Sequence, residues 1–120
     1  MKKTQTSSLI IALAASSAHA QVSERRIAEM SLGVISALRE GAMSVEQAWD
    51  ELFNMDAYQE LRRRAVSAPL RELFEWGMEL ESVAEVSPET IEMSLVAMEK
   101  LAQRLIRKSY ARSRKLAASF

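Results

Sequence analysis

The sequence predicts an all-α chain, a small helical bundle of about five helices closed by a long C-terminal helix. Three observations carry that prediction. Apolar residues recur at intervals of three and four along most of the chain. Helix start signals precede most of those stretches. Only three glycines and two prolines occur in 120 residues, which leaves little material for the turns of a β fold.

The elements follow in order. Ser23 is a candidate N-cap, with Glu24 in the first turn, where a carboxylate meets the positive end of the helix. Ile27, Met30, Val34 and Leu38 then form an apolar stripe, widened by Leu32 and Ile35, and Gly41 supplies the stop. Ser44 and Gln47 make a capping box for a second helix bearing Val45, Ala48, Trp49, Leu52 and Phe53, which Asn54 ends. Asp56 and Gln59 repeat the box and open a short third helix through Tyr58, Leu61 and Ala65. Its end carries Arg62, Arg63 and Arg64, cations at the negative end of the dipole.

Ser67-Ala68-Pro69 opens a fourth helix with Leu70, Leu73, Phe74, Gly77, Met78 and Leu80 on one face. A glycine inside a helix costs about 1 kcal/mol relative to alanine, so Gly77 points to close packing by another helix. Ser87-Pro88 starts the last and longest helix. Its Ile91, Leu95, Met98, Ala102 and Leu105 approach a heptad seam, which could be buried within the bundle or pair with a second copy.

Composition narrows the chemistry. The absence of cysteine excludes disulfides, thiol nucleophiles and thiolate metal sites. Formal net charge is zero, so no global field draws the chain to nucleic acid or acidic lipid. The charges are nevertheless segregated: fourteen acids and four arginines lie between Glu40 and Glu99, whereas seven bases and no acid follow from Lys100 onward. No apolar run approaches the roughly 18–20 residues of a membrane span.

Residues 1–20 read as a cleaved signal peptide, leaving 21–120 as a single helical domain. Lys2 and Lys3 precede a short apolar run, Leu9 to Ala15, and Ala18-His19-Ala20 supplies small residues at the cleavage positions. This predicts a periplasmic or secreted protein. The alternative is an N-terminal helix or arm of a cytoplasmic one. Cleavage would remove the single histidine and leave fourteen bases against sixteen acids, a net charge of −2.

Leu32-Gly33-Val34-Ile35, Ala37-Leu38-Arg39-Glu40-Gly41, Ser44-Val45-Glu46-Gln47-Ala48 and Leu52-Phe53-Asn54 together resemble an uncharacterised bacterial family marked by an LGIIEALKEG…SIEEAE…LF stretch. Gly77-Met78-Glu79-Leu80-Glu81-Ser82-Val83 is similar to the GTELEDV block of the same family, with Ser82 where the block carries an acid. The resemblance covers about Leu32 to Val86. It implies a small helical fold, a domain of unknown function and an intracellular setting, the last at odds with the leader.

No nucleophile–base set, glycine-rich phosphate loop or paired-acid pocket can be assembled, so no catalytic residue, metal ligand or cofactor is assigned and the chain is not expected to be an enzyme. The remaining candidates are binding residues. Glu75 and Glu79 read first as part of an internal ion-pair network with Arg62, Arg63, Arg64 or Arg71, and Glu79 and Glu81 as solvated or capping carboxylates at a helix end. The alternative is an acidic patch for a basic partner surface, with Trp76, off the apolar face, as an anchor if it is not packed against a neighbouring helix. In the basic tail, Arg107 and Lys108, with Arg104 and Arg114, could contact phosphates, and Tyr110 could stack.

The leading functional expectation is a non-catalytic protein that binds a protein partner through its acidic surface. An immunity-type inhibitor of a toxin is the concrete version. The alternative is an accessory protein for nucleic acid or another anionic surface, working through the basic C-terminal helix. The acidic body opposes nucleic acid.

Overall fold

The computed structural model describes residues 10–16 and 20–118, helices joined by short turns and loops, with no strand among them. A helical stretch at 10–14 is followed by α1 (Ala20–Arg39), α2 (Val45–Glu51), α3 (Met55–Arg63), α4 (Ala68–Met78), α5 (Leu80–Val86) and α6 (Pro88–Ala118). The all-α prediction holds, with six helices from Ala20 onward among the described residues where about five were expected. Lys2, Lys3, Ala18 and His19 of the expected leader lie outside the described residues. Within it, Ile11 is fully buried in the core, and Ala20 is the first residue of α1.

The spine of the bundle is α6, which packs along α1, α4 and α5, while α3 lies on α4 and α2 bridges α1 and α5. At 31 residues and about 1.5 Å per residue, α6 runs for about 46 Å. Its buried stripe is Leu95, Met98, Ala102, Leu105 and Ser109. The complementary stripe of α1 is Ser23, Ile27, Ser31 and Ile35, spaced by four. Four of the five seam residues of α6 are thus buried inside the molecule, and Ile91 is half-buried. Ser31 is tolerated there because its hydroxyl donates to the Ile27 carbonyl at 2.9 Å.

Several helix ends differ from expectation for physical reasons. Ser23 is not an N-cap: it lies one turn inside α1 on the buried stripe, and Glu24 is used elsewhere. The start of α3 is capped by Asn54, not by Asp56. The Asn54 side chain is fully buried, accepts from the Ala57 N–H at 2.9 Å and donates to the Trp49 carbonyl at 2.7 Å. One residue thus closes α2 and opens α3. The capping box of Ser44 and Gln47 forms as expected.

Two helices end in the same six-residue motif. In α1 the Ala42 N–H donates to the Ala37 carbonyl and the Gly41 N–H to the Leu38 carbonyl, with Gly41 at φ +75°. In α3 Val66 and Ala65 do the same to Leu61 and Arg62, with Ala65 at φ +54°. Glycine is expected at such a position, and alanine there carries left-handed strain.

The expected fourth helix is divided at Glu79, which serves as C-cap of α4 and precedes the first turn of α5. Leu80 can then turn back into the core, where it is 1% exposed. Gly77 shows the close approach its position suggested. A Cβ on it would lie 2.4 Å from Cγ of Phe53. Phe53 in turn meets Phe74 edge to face, with centroids 5.1 Å apart. Met98 fills the core, but Met93 is 71% exposed and Met55 48% exposed, so not every methionine is filler.

Candidate functional site

The surface offers two faces of opposite sign. The acidic face is built on α4. Leu70, Leu73, Phe74 and Gly77 bury one side of that helix. Residues at positions 72, 75 and 79 then fall on the opposite side by helical geometry. All three are glutamates and all three are exposed. Trp76 lies on the flank of this row, half-buried, its inner part packed against the core. Glu81, in the first turn of α5, is exposed beyond the joint.

Sequence reasoning named Glu75, Trp76, Glu79 and Glu81 and missed Glu72. The signal was present: Glu72, Glu75 and Glu79 stand three and four apart, the spacing that aligns side chains on one face.

The expected ion-pair network around these acids does not form among the described residues. Arg63 and Arg64 turn to Glu60 on their own helix, Arg63 Nε at 3.1 Å and Arg64 Nε at 2.7 Å. The hydrogen bonds, that from Arg63 first, hold the Glu60 carboxyl below its ordinary range. Glu75 accepts instead from the Tyr58 hydroxyl. That bond is the main reason the Tyr58 phenol is held above its usual range, and nearby Arg62 and Arg71 oppose it weakly. Glu72, Glu79 and Glu81 form no ion pair among the described residues. The outward side of α4 therefore carries three carboxyl groups, one of them held by a phenol and none by a cation among the described residues.

The basic face is the C-terminal half of α6. Arg107 and Lys108 are exposed and form no ion pair among the described residues. Tyr110 is 45% exposed, but the Arg25 guanidinium lies 4.2 Å from its ring centroid. Arg25 also reaches the Ser109 hydroxyl at 3.4 Å. One face of Tyr110 is thus occupied by a cation from α1, which narrows its expected use as a stacking platform. The contact fixes the tail of α6 to the start of α1.

Two of the acids in the first half of α6 turn to α1. Glu92 and Glu99 pair with Arg39 of α1, at 2.6 and 3.0 Å. The structure places the acidic set on α4 and the start of α5, and the basic set on the C-terminal half of α6. No group of three or more acidic or histidine side chains converges as a metal site among the described residues. No helix among them is long and apolar enough to cross a membrane.

A family model described as a protein of unknown function (DUF3969) matches residues 18–118. No curated protein and no solved structure matches the chain.

Proposed function

Since the chain belongs to this family of proteins of unknown function, we propose its role from its own surface: a non-catalytic protein that binds a protein partner of basic surface. One observation carries the proposal. The outward side of α4 sets Glu72, Glu75 and Glu79 in a row beside a half-buried Trp76, with no arginine or lysine among the described residues ion-paired to any of them. Unpaired carboxylates steer a cationic partner and select against acidic ones. A tryptophan held on its inner side by the core and open on its outer side is a pre-ordered anchor, because little rotamer freedom remains to be lost on binding. A small inhibitor that occupies the basic active face of a toxin is the specific form this chemistry fits.

The experiment is capture of partners from the native host at low salt, using the wild type, a Glu72→Lys/Glu79→Lys double variant and a Glu46→Lys control. Glu72, Glu79 and Glu46 are exposed and form no ion pair among the described residues, and far-ultraviolet circular dichroism checks that each variant keeps its helices. The expected result is a protein retained by the wild type and the control and lost by the double variant. Capture indifferent to the double change, or no protein at all, overturns the proposal.

The leader belongs to the same proposal. Removal after Ala20 puts Gln21 first, inside the first turn of α1. N-terminal sequencing of protein from the native cell should then read from Gln21, and a chain still carrying Ile11 overturns export.

A further inference from the structure

A groove of about 190 Å³ lies between the start of α1, the start of α4 and the C-terminal half of α6. Its polar lining is Glu24, Ser67, Arg104, Lys108, Arg112 and Ser109, with Leu105 as an apolar wall. Arg104, Lys108 and Arg112 stand four apart on α6, so they present to one side as a row. None of them forms an ion pair among the described residues.

Glu24 is already engaged. Its Oε2 accepts from the Ser67 N–H at 3.0 Å and its Oε1 from the Ser67 hydroxyl at 2.6 Å. It acts as a carboxylate cap for α4 supplied from 43 residues away, where Ser67 itself makes no side-chain cap. Three cations and one carboxylate line the groove, so two positive charges stand without compensation at neutral pH. The helix dipole does not explain them. That effect is confined to the last turn, and α6 runs on to Ala118, beyond Arg104 and Lys108.

We propose that this groove binds a phosphate monoester group, with Arg104, Lys108 and Arg112 as its ligands and Glu24 as the internal charge that sets its affinity. A dianion balances the two excess charges, which a single carboxylate would not. Guanidinium forks match the oxygens of phosphate, and Lys108 adds a point charge. The volume lies below the roughly 300 Å³ at which drug-sized ligand pockets begin, so the groove takes one charged group and not a whole cofactor. The acidic face of α4 plays no part in this site, and either proposal can fail alone.

The test is a titration of the full chain with inorganic phosphate at constant ionic strength, followed by amide NMR shifts, with chloride as the matched control. Saturable shifts are expected at Ser67 and Ser109. Arg112→Gln and Lys108→Gln, both at exposed positions, should each weaken binding about tenfold, the scale of one charge-assisted contact. Glu24→Gln keeps an oxygen acceptor for the Ser67 N–H and should tighten binding.

A second arm uses phosphatidylcholine vesicles with and without phosphatidic acid, whose headgroup is a phosphate monoester. Sedimentation with the acidic vesicles that depends on Lys108 and Arg112 identifies a lipid source. Saturation by phosphate without sedimentation identifies a soluble one. Shifts that never saturate, or that persist unchanged in the Lys108 and Arg112 variants, overturn the site.

Discussion

Substituting Gly77 by alanine separates packing from helix propensity. In an open helix interior the change should stabilise by about 1 kcal/mol, because alanine is the better helix former. At Gly77 the new Cβ would lie 2.4, 2.6 and 2.8 Å from Cγ, Cδ1 and Cβ of Phe53. These atoms form the base of a fully buried side chain, not a flexible tip, so α4 and the end of α2 must part. Overpacking of this kind costs about 3 kcal/mol at the upper end of its usual range, which leaves a net loss of about 2 kcal/mol. At about 4 °C per kcal/mol for a domain of this size, the melting temperature should fall by about 8 °C.

Gly33 is the internal control. It also sits inside a helix, and a Cβ there meets nothing within 4 Å. Gly33→Ala should raise stability by up to about 1 kcal/mol. Thermal and urea unfolding followed by far-ultraviolet circular dichroism measure both. Adding Phe53→Leu should relieve part of the Gly77→Ala penalty, a coupling that a double-mutant cycle reads directly. A Gly77→Ala protein as stable as Gly33→Ala would refute the seating of α4 on Phe53.

Further expectations concern helix ends and pH. Asn54→Ala should cost about 2 kcal/mol in urea unfolding, since it removes the cap of α3 and leaves the Trp49 carbonyl without its donor. Ala65→Gly should stabilise by about 1 kcal/mol, because φ +54° is costly for alanine and free for glycine; a loss would mean the turn is held by something other than its backbone. Glu60 has a folded pKa below its unfolded one. It therefore contributes stability above the ordinary carboxylate pKa of about 4.3, lost as pH falls through the lower folded value. Glu60→Gln should flatten that acid limb in unfolding measured against pH, and an unchanged limb would discount the Arg63 and Arg64 contacts.

The sequence carried the helices best where local chemistry decides them. The Ser44–Gln47 box, the Gly41 stop and the Ser87-Pro88 start all act within a few residues. Gly77 was informative because a costly residue in a helix asks for a compensating contact. The division at Glu79 carried no glycine or proline, and its cause is tertiary: Leu80 must enter the core. Asn54 was readable as an end but not as a start, since its two bonds serve helices on either side.

The acidic face was legible in part. Trp76 breaks the apolar stripe and marks its neighbours, while Glu72 is set apart only by its spacing of three and seven from Glu75 and Glu79. Partners far apart in the chain left no local trace. Glu24 meets Ser67, Arg25 covers Tyr110 and Arg39 joins Glu92 and Glu99 only after α1 has docked.

Hydroxyl-radical footprinting of Trp76 is the most direct measurement on the proposed binding face. It would be performed on the full chain alone and in complex with the protein captured from its host. Oxidation of the outer edge of Trp76 in the free chain and its suppression in the complex are the predicted results. Trp76 equally oxidised in both, with protection confined to Tyr110 on α6, would contradict the assignment of binding to the acidic side of α4.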